Sequence, residues 1–349
     1  MSSANEAVAW FRDVGIADRP TVGGKGGSLG ELTQAGIPVP PGFVVTTHGF
    51  ELFLQALEAR DPVRSRVEAL DRHDLAAVTS LSEELRARVL EEKMPAEVEQ
   101  AIVDAYRTLC PDGEPVAVRS SATTEDAEDA SFAGLQDTFL WVLTEQDMVH
   151  RVRECWGSLY STESMTYRLK HDFPESGVAM GVVVQRMVDA RCAGVMFTRS
   201  PTTGDKSVIT VEGAWGLGSA VVSGEVTPDK WVIGKITGEI SDREISDKHA
   251  RQVPADGGGI REVENKPDKR KAPCLTDEEL MGLREVGRRI ERHYGKPQDI
   301  EWAVDQDGQI LLLQSRPETV WATKDKETPV KKPEGNALNH VMTIFGGKK

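Results

Sequence analysis

One segment near the C-terminal end limits the possible folds more than any other, because it reads as a β-hairpin. Asp307-Gly308 separates two runs of strand-like residues, 299–306 and 309–317. Asp-Gly is the strongest short hairpin signal, since both residues accept the positive φ that a two-residue loop needs. Such a loop pairs Gln306 with Gln309 and fixes the register of both strands. The pattern therefore predicts an antiparallel pair within a larger sheet.

This register brings three polar side chains to one face of the predicted hairpin. Counting back from the loop places Glu301 directly opposite Gln314. Side chains alternate between the faces of a sheet, so Arg316 shares the face of Gln314, and Trp302 lies on the other face. Carboxylate and amide oxygens suit a hard divalent cation, and a guanidinium suits a phosphate. The hairpin therefore predicts a site for Mg²⁺ and a nucleotide.

Length and charge limit the class of protein. A chain of 349 residues has enough length for two compact units. The net charge of -14 argues against broad binding to nucleic acid or to an anionic membrane, so a nucleotide needs a local basic cluster. No apolar run approaches the roughly 18 residues that cross a bilayer, and the N-terminus lacks a signal peptide. We therefore predict a cytoplasmic protein whose four cysteines are reduced.

Two segments carry basic residues that could meet phosphates. The run 23–28, Gly-Gly-Lys-Gly-Gly-Ser, lies at a loop-to-helix junction, where backbone N–H groups and the helix dipole favour an anion. It lacks the P-loop spacing, and a flexible glycine turn is the alternative. Arg119 ends the buried strand 116–118, where a charge needs a partner. That partner is either a local acid within 125–129 or a phosphate.

Three further segments leave two interpretations open. Residues 131–138 are small and polar, and they form either a lid over a phosphate or a surface turn. The strand 181–188 is either plain core or one wall of an adenine slot. Residues 211–225 place four glycines around Glu212 and a Trp. These glycines either make tight turns or let the backbone approach a ligand closely.

Taken in order, eight segments between residues 22 and 317 resemble the ATP-binding domain of the dikinase family. That family includes phosphoenolpyruvate synthase, pyruvate phosphate dikinase and rifampin phosphotransferase. Each segment is short, but the ordered set is specific. The segments are VGGKGGSLGEL, PVPPGFVVTT, VAVRSSATTEDAEDASFAGLQDTFL, VVVQRMV, AGVMFTRSP, VEGAWGLG, VVSGEVTPDKWVI and QDIEWAVDQDGQILLLQSRP.

The resemblance implies an α+β, ATP-grasp fold that binds ATP between two lobes. The expected lobes are residues 1–200 and 201–321, followed by a mobile tail, 322–349. The implied site residues are Lys25 and Arg119 on the phosphates, Gly134, Gln136 and Thr138 in a covering loop, Gln185, Met187 and Val188 around adenine, Glu212 on the nucleotide, Glu301 and Gln314 on Mg²⁺, and Arg316 on the transferring phosphates. Of these, Lys25, Arg119 and Arg316 are the expected catalytic residues.

The resemblance also implies partners. Family enzymes carry a swivelling domain with a phosphorylated His and a separate acceptor domain, and none of the seven histidines here has that context. We therefore expect a split enzyme that passes the β-phosphoryl group of ATP to a His on a partner subunit, with AMP and phosphate as products. A subunit or domain that binds the acceptor completes it, and phenol is the expected final acceptor, as in phenylphosphate synthase. The alternatives are a phosphoenolpyruvate synthase-like or rifampin phosphotransferase-like enzyme, and a non-catalytic nucleotide sensor.

Overall fold

A computed structural model describes residues 6–123, 137–319 and 321. Gly134, Gln136 and the tail 322–349 lie outside the described residues. Within the described part, no helix is both long enough and apolar enough to cross a membrane. The chain forms two lobes, each built on its own antiparallel sheet, with a separate two-stranded sheet beside them. The prediction of an α+β, ATP-grasp architecture with two lobes is confirmed.

The first lobe holds a five-stranded sheet with the order β1-β2-β5-β3-β4. Its strands are β1 (Val8–Trp10), β2 (Gly42–Val45), β3 (Val116–Ala122), β4 (Thr138–Val142) and β5 (Met180–Arg186). Its helices are α1 (Arg19–Gln34), α2 (Thr47–Glu58), α3 (Val63–Glu68), α4 (Leu75–Glu91), α5 (Ala96–Leu109), α6 (Glu145–Ser158) and α7 (Thr162–Lys170).

Both faces of the first sheet are buried, which explains the continuous apolar run in β5. Val182 and Val184 belong to the core that the sheet forms with α2 to α7. Val183 points to the other face and packs with Val22 and Leu29 of α1. A strand covered on both sides has no polar positions to alternate with, so it reads as an unbroken apolar run.

The second lobe holds a six-stranded sheet with the order β13-β12-β6-β7-β8-β9. Its elements are β6 (Ala190–Phe197), β7 (Val208–Trp215), α8 (Ser219–Val222), β8 (Asp229–Gly234), β9 (Ile240–Glu244), β10 (Ala250–Pro254), β11 (Ile260–Glu264), α9 (Pro267–Arg270), α10 (Asp277–Tyr294), β12 (Gln298–Asp305) and β13 (Ile310–Pro317). One face packs on α10 through a core that includes Trp231, Leu283 and Trp302. The opposite face is turned towards the first lobe and carries Glu212, Glu301 and Gln314.

The change of sheet comes earlier in the chain than the predicted lobe boundary. Strand β5 ends at Arg186 in the first sheet, and β6 begins at Ala190 in the second. The expected boundary at residues 200–201 therefore falls after the first strand of the second sheet. Contacts also cross between the lobes, since the Ser28 hydroxyl on α1 donates to the Ser315 carbonyl on β13 at 2.7 Å.

The C-terminal hairpin forms, but its turn differs from the predicted one. The Asp305 N–H donates to the Gln309 carbonyl at 3.1 Å, so three residues form the loop and the prediction of a two-residue loop is wrong. The Asp305 carboxylate stabilises this longer loop by accepting the Gln309 N–H at 2.8 Å, and Gly308 has φ 85°. A β-bulge beside Glu301 then shifts the register back, so that Glu301 still pairs with Gln314.

The polar stretch 249–275 contains the hairpin of β10 and β11. Its base is held by an ion pair between Lys248 and Asp229, whose side chains are both fully buried. The Asp229 carboxylate also accepts the N–H groups of Ser246 at 3.0 Å and Cys274 at 2.9 Å. A buried pair with these additional hydrogen bonds fixes the position of the hairpin on the second lobe.

Replacing Lys248 with Met should lower the free energy of unfolding by about 3–5 kcal/mol, because it leaves the Asp229 carboxylate buried without its cation. Chemical denaturation followed by tryptophan fluorescence measures this change. Lys271→Met serves as the control, since Lys271 is exposed and its replacement should change stability by less than about 0.5 kcal/mol. Equal stability of the two variants would show that the ion pair does not hold the fold.

Candidate functional site

A cavity of about 290 Å³ lies between the two sheets and receives residues from both lobes. The first lobe supplies residues from β3, β4 and β5, and the second lobe supplies residues from β6, β12 and β13. Most of the wall is apolar. The lining residues include Arg119, Thr138, Gln185, Met187, Val188, Ala190, Ala193, Gly194, Leu217, Ser219, Glu301 and Ala303. Clefts of this kind, apolar with a few polar groups, are the usual form of small-molecule sites.

One end of the cavity carries a polar cluster that joins the lobes. Arg119 is 8% exposed, and its Nη2 lies 2.6 Å from Gln314 Oε1 and 3.3 Å from Glu301 Oε2. Its Nη1 donates to the Leu313 carbonyl at 2.9 Å. The partner of the buried guanidinium is therefore across the cleft on the predicted hairpin. Its Nε is also buried and has no hydrogen-bond partner among the residues that the structure describes.

Asp299 is an acid next to this cluster that the sequence reasoning did not single out. It lies two residues before Glu301 on β12, so both side chains are on the same face. Burial raises the pKa of Asp299 to about 6, an effect that the nearby Arg316 opposes. Its Oδ1 is buried without a hydrogen-bond partner in the described part of the chain. Because side chains two residues apart on a strand share a face, the sequence pattern around Glu301 could also have identified Asp299.

Arg316 lies at the edge of this cluster. It pairs with Asp299 in the register of β12 and β13, and its Nε is 3.7 Å from Asp299 Oδ2. The side chain is 56% exposed, so it is free to turn towards a ligand in the cleft. The predicted face of Arg316 is observed, but its contact is with Asp299 and its position is peripheral.

Glu212 shares the sheet face of Glu301 without lining the cavity. Val195 of β6 pairs with Glu301 on one side and with Glu212 on the other. Two strand spacings place the backbones of the two acids roughly 10 Å apart. Burial raises the pKa of Glu212, and the Lys230 ammonium on the next strand opposes that shift.

The other end of the cavity is apolar and includes the three residues predicted around adenine. Gln185 is buried, and its amide donates to the Pro40 carbonyl at 3.2 Å. The Met187 N–H donates to the Pro115 carbonyl at 2.9 Å. Val188 packs in an apolar cluster with Ala190, Ala193, Leu217 and Ala303. The structure therefore brings these predicted residues to one wall, away from Arg119.

The glycine-rich run belongs to α1, which begins at Arg19 and has non-helical angles at Gly23. Gly23 has φ 72°, and a Cβ there would lie 2.0 Å from the Ser121 carbonyl oxygen. The Gly26 N–H donates to Ser121 Oγ at 3.1 Å. The run is therefore packed closely against β3, the strand of Arg119. Lys25 is buried on this run and does not line the cavity.

Of the three residues predicted in the covering loop, Gly134, Gln136 and Thr138, only Thr138 lies among the described residues. It begins β4, pairs with Arg119 on β3 and lines the cavity. No group of three or more His, Cys, Asp or Glu side chains is arranged to hold a metal ion within the described ranges. A metal at this site would therefore take oxygens from a few side chains and complete its shell with ligand oxygens and water.

The fold and the cleft define a two-lobed nucleotide-binding class of domain, and a family comparison makes this specific. Residues 19–336 match the family model of the pyruvate phosphate dikinase, AMP/ATP-binding domain. The chain belongs to this family.

Curated relatives that are similar to this chain carry the name phosphoenolpyruvate synthase. A probable phosphoenolpyruvate synthase from Methanothermobacter thermautotrophicus is 44% identical over 331 residues, covering 94% of this chain and 48% of the relative. The phosphoenolpyruvate synthase of Pyrococcus furiosus is 36% identical over 394 residues, covering 97% of this chain and 48% of the relative. The chain therefore spans about half the length of these relatives.

Proposed function

We propose that this chain binds Mg-ATP between its lobes and acts as the nucleotide unit of a phosphoenolpyruvate synthase-like dikinase. The observation that carries the proposal is the meeting of Arg119 from the first lobe with Glu301 and Gln314 from the second at the polar end of an apolar cavity. An apolar wall suits a purine, and a cation beside oxygen ligands suits a phosphate chain with its metal.

The side-chain oxygens at this end fit Mg²⁺. Mg²⁺ in nucleotide sites is usually held by one or two carboxylates together with substrate phosphates and water. Glu301 and Gln314 would hold the ion, and Asp299 offers a further carboxylate on the same face. The bound ion would neutralise charge on the phosphates during transfer. The unpartnered Oδ1 of Asp299 supports this assignment, since a buried carboxylate oxygen normally has a partner.

The basic residues have separate tasks in this proposal. Arg119 is held at the cleft with its Nε unbonded to the described residues, and that donor is available to a phosphate oxygen. Arg316 is exposed beside Asp299 and would bind the phosphates that are transferred. Lys25 lies on a glycine-rich run packed beside Arg119's strand, where its ammonium would add positive charge. Catalysis would then be positioning and charge stabilisation.

The proposed reaction gives AMP. A His on a partner domain or subunit takes the β-phosphoryl group of ATP, the γ-phosphate passes to water, and AMP leaves. The relatives' names support pyruvate as the final acceptor better than the phenol expected from the sequence. Because the chain spans about half of those relatives, the His-bearing and acceptor-binding parts are proposed to lie elsewhere.

Product analysis tests the proposal directly. The chain is incubated with Mg-ATP, with and without the His-bearing portion of a related phosphoenolpyruvate synthase, and phosphorus NMR follows the products. We expect AMP, phosphate and phosphohistidine only when the partner is present. Formation of ADP would contradict the mechanism. With an acceptor-binding portion also present, adding pyruvate or phenol tests the final acceptor, because phosphoenolpyruvate and phenylphosphate have distinct signals.

A further inference from the structure

A chain of three side chains polarises one hydroxyl on the wall of the cavity. Gln252 of β10 donates from its amide nitrogen to the Glu225 carboxylate at 2.9 Å. A carboxylate accepts and an amide nitrogen donates, so this contact fixes which way the amide points. The amide oxygen of Gln252 therefore faces Ser219, and the Ser219 hydroxyl must donate its proton to it. The Ser219 Oγ can therefore only accept a hydrogen bond from a ligand, because its own proton is already donated to Gln252.

The backbone around Ser219 is held by the same strand. The Leu217 N–H donates to the Gln252 carbonyl at 3.1 Å. Gly216 has φ 78°, and a Cβ there would lie 2.4 Å from the Gln252 carbonyl oxygen. Only glycine allows this close approach, so the turn that precedes α8 is pressed against β10. The position of Ser219 is therefore set by β10 before any ligand arrives.

Ser219 lines the cavity, and its neighbour Gly218 packs on strand β6. Strand β6 runs along the cavity from Ala190, in the apolar cluster of Val188, to Val195, which pairs with Glu301. Gly218, the neighbour of Ser219, packs over the centre of that strand, since a Cβ on it would lie 3.4 Å from the Ala193 Cβ. Between the base and the phosphates of a nucleotide lies the sugar, whose hydroxyls can donate hydrogen bonds.

We propose that Ser219 recognises the sugar of the bound nucleotide, by accepting a hydrogen bond from a ribose hydroxyl. Gln252 and Glu225 act as positioning residues, because they fix Ser219 as an acceptor. The inference rests on the proposed function for the direction in which the nucleotide lies. It adds a preference for ribonucleotides over deoxynucleotides, because a deoxy sugar leaves the oriented acceptor without a donor.

Binding measurements with modified sugars test this inference without requiring turnover. Isothermal titration compares ATP, 2′-deoxy-ATP and 3′-deoxy-ATP on the unmodified chain, Ser219→Ala and Gln252→Leu. The unmodified chain should bind one deoxy analogue about fivefold more weakly than ATP, which is the usual size of one neutral hydrogen bond. Ser219→Ala should bind ATP and that analogue equally. Gln252→Leu should reduce the preference, because the serine proton is no longer committed.

The control is Ser241→Ala, since Ser241 is an exposed serine on β9 whose hydroxyl donates to the Val232 carbonyl. This variant should keep the full preference for ATP. Equal binding of all three nucleotides by the unmodified chain would overturn the sugar contact while leaving the proposed function intact. A preference that persists in Ser219→Ala would also overturn it, whatever happens to overall affinity. No binding of any nucleotide would overturn the proposed function itself.

Discussion

Replacing Glu301 with Ala should reduce turnover by at least about 1000-fold while nucleotide affinity changes much less. In the proposed site this carboxylate holds the metal together with Gln314, its partner across the hairpin, so its loss should remove charge stabilisation that matters most during transfer. The fold should tolerate the change, because Arg119 keeps its bonds to Gln314 and to the Leu313 carbonyl. The rate of AMP formation in a single turnover with the His-bearing partner, at saturating ATP, measures the effect.

Two further variants make this result specific. Glu244→Ala removes an exposed acid that lies in the same cross-strand row, four strands beyond Glu301, and it should leave turnover unchanged. Glu301→Gln keeps the shape and loses the charge, so it should retain little activity and need more Mg²⁺ for it. Full turnover in Glu301→Ala would show that the metal is held elsewhere.

The hairpin shows how much of the site the sequence could predict. Counting back from the Asp-Gly loop paired Glu301 with Gln314, and the pairing is observed. The predicted length of the turn was wrong, because the Asp305 side chain caps a longer loop. A bulge beside Glu301 then offsets the one-residue error. Neither the cap nor the bulge changes the pattern of apolar residues, so a pattern alone cannot reveal them.

Contacts between the lobes were the part that the sequence could not predict. Arg119 contacts Gln314, which is 195 positions away in the sequence. From the sequence alone, the only candidate partners of Arg119 were a phosphate or the nearby acids within 125–129. The predicted lobe boundary comes later in the chain than the observed change of sheet for a related reason. Strands β5 and β6 are separated by a short turn, which resembles a hairpin in sequence, yet they enter different sheets. Which sheet a strand joins depends on distant segments.

Replacing Arg119 with Ala should lower turnover by about 100- to 1000-fold and also destabilise the contact between the lobes. The buried Arg119 guanidinium donates to Glu301, Gln314 and the Leu313 carbonyl, and these hydrogen bonds join the first lobe to the second. Its removal leaves those acceptors without donors, which should cost about 1–3 kcal/mol of unfolding free energy. Turnover falls as well, because the donor proposed for the phosphates is lost. Kinetics and denaturation on the same preparation separate the two effects.

The comparison that decides the role of Arg119 uses a conservative variant and a surface control. Arg119→Lys keeps the charge but cannot reach several acceptors at once, so it should recover stability partly and turnover by less than tenfold. Arg72→Ala removes a surface arginine from a pair with Asp172 in which the two side chains are 45% and 74% exposed, and it should change neither quantity measurably. If Arg119 only joined the lobes, Arg119→Ala would have normal turnover at saturating ATP under conditions where the variant is folded.

Because Arg119 and Glu301 are in contact at 3.3 Å, their losses of stability in the double variant should not be additive. Additive losses would mean that the two side chains act separately, one on the lobes and one on the metal.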